Sequence, residues 1–225
     1  MKNLFQLPLE NNTLPIFPAF FFPNIEYFQY LNSYDSICIE TQESFPKQTF
    51  RNRTYILSAN GILSINIPII KEKSYRQTTS EVKICYKNNW DIKSWRAITS
   101  AYGNSPYFEY FEDDIKQFFT NKYEKLLDLN LDILSYFKKR FEIKTKILLT
   151  NNYINIENKE IDFRNLFLTQ EKAIKGIGEE NFEEYTQCFC EKFGFTKNLS
   201  CLDLLFNTGK ESIHYIKKND IFSTK

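Results

Sequence analysis

Histidine is almost missing from this 225-residue chain, which has one, His214. A Ser-His-Asp arrangement would have to be built on it, and a zinc site would need it plus three cysteines at unusual spacing. Neither is expected, so no metal site is assigned. The cysteines, Cys38, Cys85, Cys188, Cys190 and Cys201, are odd in number and form no C-x-x-C pair. They read as free thiols in a reducing compartment. Charge of one sign is not in excess, with 29 Lys+Arg against 28 Asp+Glu, so binding to nucleic acid through phosphates is not expected. The longest apolar run, Ile16 to Pro23, falls far short of the roughly 18 residues of a bilayer span. The opening MKNLFQLPLENN has one lysine and no apolar h-region. It is not expected to be a signal peptide, and the chain reads as cytoplasmic. No cofactor is named by the sequence, and the oligomeric state is left open.

Valine occurs once, alanine five times and arginine six, against 25 isoleucines, 23 lysines and 22 asparagines. This skew matches drift in an AT-rich genome, and it acts as a filter. A residue of a disfavoured type (Gly, Ala, Arg, Pro) marks a place where a physical need has held it. Arg96 to Pro106 carries five of the 24 such residues in eleven positions, where an even spread gives about one. Pro46 to Pro68 carries six, among them Arg51 and Arg53. A guanidinium forks two donors onto a carboxylate or phosphate, which lysine cannot copy. Two structural salt bridges would explain the same pair.

At 42% apolar and 25% charged residues, the chain can bury one large core, and a single domain over 1–225 is expected. IFPAFFFP (16–23) reads as a short buried strand or extended loop. Asn24 is placed to cap a helix through Tyr34. Ser36 to Glu40, Thr49 to Leu57 and the alternating Leu63, Ile65, Ile67 and Ile69 read as strands, with Asn60-Gly61 a hairpin turn. Val82 to Tyr86 alternates again, after a polar loop over 71–80. From Trp90 the period becomes helical. Ile92, Trp95 and Ile98 face one way. Phe108, Phe111, Ile115, Phe118 and Phe119 form a second stripe, and Tyr123, Leu127, Asn130, Leu134 and Phe137 a third. Asn130 interrupts that third stripe, so it is either buried and hydrogen-bonded or turned toward a cleft. Lys146 to Leu149 suggests a strand, 151–175 a mobile loop region, and Phe182 to Phe193 a helix closed by Gly194. Ser200 to Phe206 suggests a short helix in which Ser200 and Asp203 form a capping box. The expected fold is α/β, with a mixed sheet in the N-terminal half, helices packed against it and a helix-rich C-terminal half; α+β is the alternative.

Two stretches could carry chemistry. If KQTFRNR (47–53) is a strand, Lys47, Thr49, Arg51 and Arg53 share one face, with the two guanidiniums about 7 Å apart. That spacing suits a diphosphate, or a phosphate beside a carboxylate. Gln48 and Asn52 join them as candidate substrate contacts. In SAYGNSPYFEYFEDD (100–114), Gly103, Ser105 and Pro106 shape a helix-entry turn whose free N–H groups can hold an anion. Glu109 follows as a candidate general base, with compensation of the helix dipole as the alternative role. Trp95, Tyr102 and Tyr107 flank the turn and could stack on a sugar or base.

FPNIEYFQYL (22–31), ESFPKQTFRNRTYI (43–56), NGILSINIPI (60–69), WRAITSAYGNSPYFEYFEDD (95–114) and GFTKNLSCLDLLFNTG (194–209) together resemble the WbqC-like family of bacteria. The resemblance implies a role in making or decorating a surface polysaccharide of the O-antigen type, and a fold similar to Rossmann-like nucleotidyltransferases. It supplies no catalytic assignment. Relatives often carry a histidine just before the tryptophan of the fourth block and another in a Y-x-Q-x-F helix, positions held here by Ser94 and Thr186. The combined expectation is a transferase-like enzyme. It acts on an anionic small molecule, a nucleotide-sugar or another phosphorylated carrier. Arg51, Arg53 and Lys47 would hold this donor, and Glu109 would serve as base. A non-catalytic binding or scaffold protein is the alternative.

Overall fold

The computed structural model describes residues 14–46, 49–72, 75–156, 161–166 and 182–217. The apolar run starts as strand β1 (Ile16–Phe17), and its prolines then turn it into a buried extended loop. Asn24 caps helix α1 (Ile25–Asn32) through its side-chain oxygen, which accepts from the Tyr27 amide. The chain returns as β2 (Ser36–Ile39). After a long excursion, β7 (Lys146–Leu149) completes a three-stranded parallel sheet in the order β1-β2-β7. Ile16 pairs with Cys38, and Cys38 with Leu148.

The excursion begins with an antiparallel hairpin of β3 (Arg53–Ser58) and β4 (Gly61–Asn66), in which Ser58 pairs with Gly61. Gly61 sits at φ +97, a conformation that favours glycine and explains the Asn-Gly signal. Beyond Pro68, β5 (Ile69–Ile70) pairs with β6 (Lys83–Ile84). Three helices follow: α2 (Trp90–Tyr102), α3 (Phe108–Thr120) and α4 (Leu126–Arg140). Near the end lie α5 (Cys190–Phe193), α6 (Cys201–Thr208) and α7 (Ser212–Lys217). This is the expected mixed α/β architecture. Parallel strands and antiparallel ribbons form separate small sheets, and helices dominate the C-terminal half.

Aromatic rings fill the core. All five residues of the Phe108 stripe are buried. Phe22 stacks on Phe119 at 5.7 Å and meets Phe118 and Phe137 edge-on. Phe22 has φ 42, a strained value for a bulky residue. The surrounding rings hold it there, as do hydrogen bonds donated to its carbonyl by Thr54 and Ser200. Segments 23–26 and 198–201, far apart in the chain, are joined at the same place. Ile25 N–H donates to Leu199 O, Cys201 N–H donates to Pro23 O, and Asn198 both accepts from and donates to Glu26.

Three local expectations are corrected. The strand expected from Thr49 starts only at Arg53, because 49–52 form a turn closed by Asn52 N–H onto Thr49 O. Helix α2 is rotated from its expected phase. Ile92 is exposed, and Asp91, Ser94, Ile98, Ala101 and Tyr102 face inward, with Asp91 paired to Lys122. The helix expected over 182–193 is reduced to α5. Tyr185 and Gln187 both reach Asp203, and side chains two apart share a side only in extended backbone. Residues 161–166 pack through Phe163, which stacks on Phe17; of the region expected to be mobile, 157–160 and 167–175 lie outside the described residues.

Candidate functional site

The carboxyl ends of β1, β2 and β7 lead into a buried charged network. Strand β2 runs on into Glu40, Thr41 and Glu43, and β7 into Thr150. Arg51 enters from its turn with no exposed surface, and its Nε and Nη2 donate to Glu43 Oε1 and Oε2 at 2.6 and 2.8 Å. Glu40 accepts from the amides of Gln42 and Ile154, from Thr150 Oγ1, and from Arg164 Nη1. Arg164 also clamps Asp162 through Nε and Nη2. Burial pushes the Glu43 carboxyl up, against the pull of Arg51. Arg51 Nη1 and Asn130 Oδ1 are buried and make no hydrogen bond among the described residues. Asn130 Nδ2 donates to the Ala19 and Arg51 carbonyls, so this residue ties α4 to the network.

Directly along the chain from the network lies a surface pocket of about 370 Å³. Its walls are two neighbouring segments, linked by Phe45 N–H donating to Gln77 O and Thr79 N–H donating to Glu43 O. Arg53, Lys71 and Arg76 line it, with Glu72 as its carboxylate, Asn52 and Gln77 as amides, and Phe45 and Tyr75 as rings. Arg53 Nε donates to Asn66 Oδ1 and Nη1 to Tyr55 Oη; Nη2 is unengaged among the described residues. Lys71 and Arg76 are exposed and have no ion-pair partner there. The pocket therefore gathers three cations and one carboxylate around an opening flanked by aromatic surface.

The residues singled out from sequence are spread over several places. Arg51 and Asn130 belong to the buried network, and Asn52 and Arg53 to the pocket, so the two guanidiniums do not project side by side. Lys47 and Gln48 lie outside the described residues. The turn after α2 is a packing element. The amides of Gly103, Ser105, Tyr107 and Phe108 all donate to backbone carbonyls, which leaves no row of free N–H groups for an anion. Trp95 stacks on Phe108. Ser105 is buried and donates to Tyr102 O. Glu109 is exposed on α3, apart from the pocket. Tyr107 covers Gly209, where an added Cβ would lie 2.6 Å from the ring at φ +57. Gly209→Ala is expected to cost roughly 1–3 kcal/mol, read as a lower urea midpoint; an unchanged midpoint would refute this packing argument.

Tyr102 has another partner that sequence reasoning missed. It is buried, and its hydroxyl donates to Asp203 Oδ1 at 2.9 Å. Tyr185 Oη and Gln187 Nε2 donate to Asp203 Oδ2 at 2.7 and 2.8 Å. Asp203 is fully buried, and burial raises its carboxyl above the usual range despite these bonds. Ser200 caps α6 as expected, its oxygen accepting from the Leu202 amide. Asp203, however, turns inward rather than completing a capping box.

A small parallel sheet, two separate antiparallel ribbons and helices that dominate the C-terminal half define a mixed α/β protein. The chain belongs to the WbqC-like protein family, whose sequence model matches residues 19–177. It is similar to the uncharacterized protein Rv1507c of Mycobacterium tuberculosis (strain ATCC 25618 / H37Rv). The two are 23% identical over 215 residues, which cover 85% of this chain and 91% of that protein. No solved structure matches the chain significantly. No helix among the described residues is long and apolar enough to cross a membrane.

Proposed function

We propose that this chain binds an anionic, phosphorylated small molecule in the Arg53–Lys71–Arg76 pocket and uses it in a transferase-like step of surface-glycan synthesis. The single observation that carries the reading is the convergence of three cations and two aromatic rings on one opening. A diphosphate spreads its charge over oxygens that Arg53 and Arg76 can fork onto, while Lys71 adds a point charge. Phe45 and Tyr75 offer faces for a base or sugar ring. The buried network beneath fixes the segments that bear Phe45 and Arg53, so the site is preorganised. Glu72 is the carboxylate of this pocket, and it replaces Glu109 as the group to accept a proton from an attacking hydroxyl.

Isothermal titration with UDP and UDP-glucose tests the binding. Arg53→Lys and Arg76→Lys are each expected to weaken it about tenfold, near 1.4 kcal/mol. Equal affinity in both variants and the parent chain would remove the proposal. The placement of Glu109 outside the pocket favours a second reading, binding without catalysis. Release of UDP from the sugar in the presence of acceptor, lost in Glu72→Gln with affinity kept, separates transfer from mere binding.

A further inference from the structure

A second cavity, of about 510 Å³, opens between α3, α4 and the α6–α7 end of the molecule. Its floor is apolar, made by Phe111, Leu205 and Ile213, and the ring of Tyr110 stands at its mouth, two-thirds exposed. Five charged side chains line it, and their pairing leaves an imbalance. Asp114 is engaged by Arg140 and accepts from Tyr136 Oη. Glu142 is paired with Lys217 at 3.3 Å. Lys139 and Lys210 are exposed and have no anionic partner among the described residues.

Arg140 is held in place before any ligand arrives. Its guanidinium lies over the rings of Phe111 and Tyr136, at 5.3 and 5.1 Å from their centroids. Asp114 engages it through Nη2. A guanidinium carries five N–H donors, so donors remain for a ligand. A cation fixed by two rings and one carboxylate needs little reorganisation to receive an anion. The two lysines beside it supply charge that nothing else neutralises.

We infer that this cavity is a second small-molecule site that takes an anion with an apolar or flat body, an organic phosphate or carboxylate. The charged end lies against Lys139, Arg140 and Lys210, and the body lies on Phe111, Leu205, Ile213 and Tyr110. The inference is independent of the pocket around Arg53.

Titration of the full chain with phenyl phosphate tests it, with inorganic phosphate and benzyl alcohol as the two halves of that probe. Phenyl phosphate is expected to bind at least tenfold more tightly than either half. The double variant Lys139→Ala/Lys210→Ala is expected to lose at least tenfold, and Tyr110→Ala about threefold. These side chains are exposed, so the fold is kept, and circular dichroism checks that. Arg53→Lys should leave unchanged the binding component that the double variant removes. Absence of saturable binding, affinity unaltered in the double variant, or a loss confined to Arg53→Lys would each overturn the inference.

Discussion

Arg51→Met is expected to remove about 3–5 kcal/mol of folding stability, the cost of leaving a buried charge without its partner. Arg51 is fully enclosed, and both oxygens of Glu43 lie on its fork. Removing the guanidinium strands that carboxylate, which then unfolds the protein or takes up a proton. Burial already raises the Glu43 carboxyl, and Arg51 opposes the rise; without Arg51 it rises further. A carboxyl whose folded pKa exceeds its unfolded one favours the fold below the unfolded value, and this contribution is lost as pH rises through the folded value. The deficit of Arg51→Met is therefore largest at neutral pH and shrinks toward about pH 5. Urea unfolding at both pH values measures it. Adding Glu43→Leu should recover part of the loss at neutral pH, since an apolar pair costs less than a stranded charge. A deficit below about 1 kcal/mol at neutral pH, the range of exposed ion pairs, would contradict the assignment.

Asp203→Ala has the second large effect, also about 3–5 kcal/mol, because it takes the acceptor from the buried Tyr102 and Tyr185 hydroxyls and one of two acceptors from Gln187 Nε2, which keeps Thr196 O, at roughly 1–3 kcal/mol for each stranded donor. Two of those donors, on Tyr185 and Gln187, anchor segment 182–187, which has no helix or strand of its own. Hydrogen exchange and limited proteolysis should show that segment opening before the core does. Asp203→Asn separates charge from shape. The raised carboxyl of Asp203 supports the fold at low pH and loses that support as pH climbs through its folded value. Asparagine has no such titration, so the acid side of the stability profile should be flatter in that variant. Matching profiles would show that Asp203 is not the titrating group.

Helix periods and capping residues were legible where one face meets one partner. The Phe108 stripe and the Asn24 cap came through unchanged for that reason. The phase of α2 was not legible, because its inward face is partly polar (Asp91, Ser94) while Ile92 lies outside. Segment 182–193 misled because Phe182, Tyr185, Phe189 and Phe193 mimic a helical spacing, whereas Asp203, far along the chain, dictates extended backbone. The candidate site was half visible. Rarity of arginine marked Arg51 and Arg53 through their close pairing, and passed over the isolated Arg76, Arg140 and Arg164. Those three form the pocket wall, the fixed cation of the second cavity and the second clamp of the charged network. What sequence could not give was the split between neighbours. Arg51 turns inward and Arg53 outward because a tight turn, rather than a strand, separates them.

The bonds between residues 23–26 and 198–201 also govern how this molecule comes into being. Pro23 and Glu26 find their partners only when chain some 172 positions downstream has been made. At roughly 5–20 residues per second, the ribosome imposes a delay on the order of 10–35 s. For that interval IFPAFFFP, among the stickiest stretches of the protein, travels on the nascent chain without its final cover. The acquisition of structure is thus gated by the synthesis of residues 198–201, and a chain halted before them holds that stretch without its final cover.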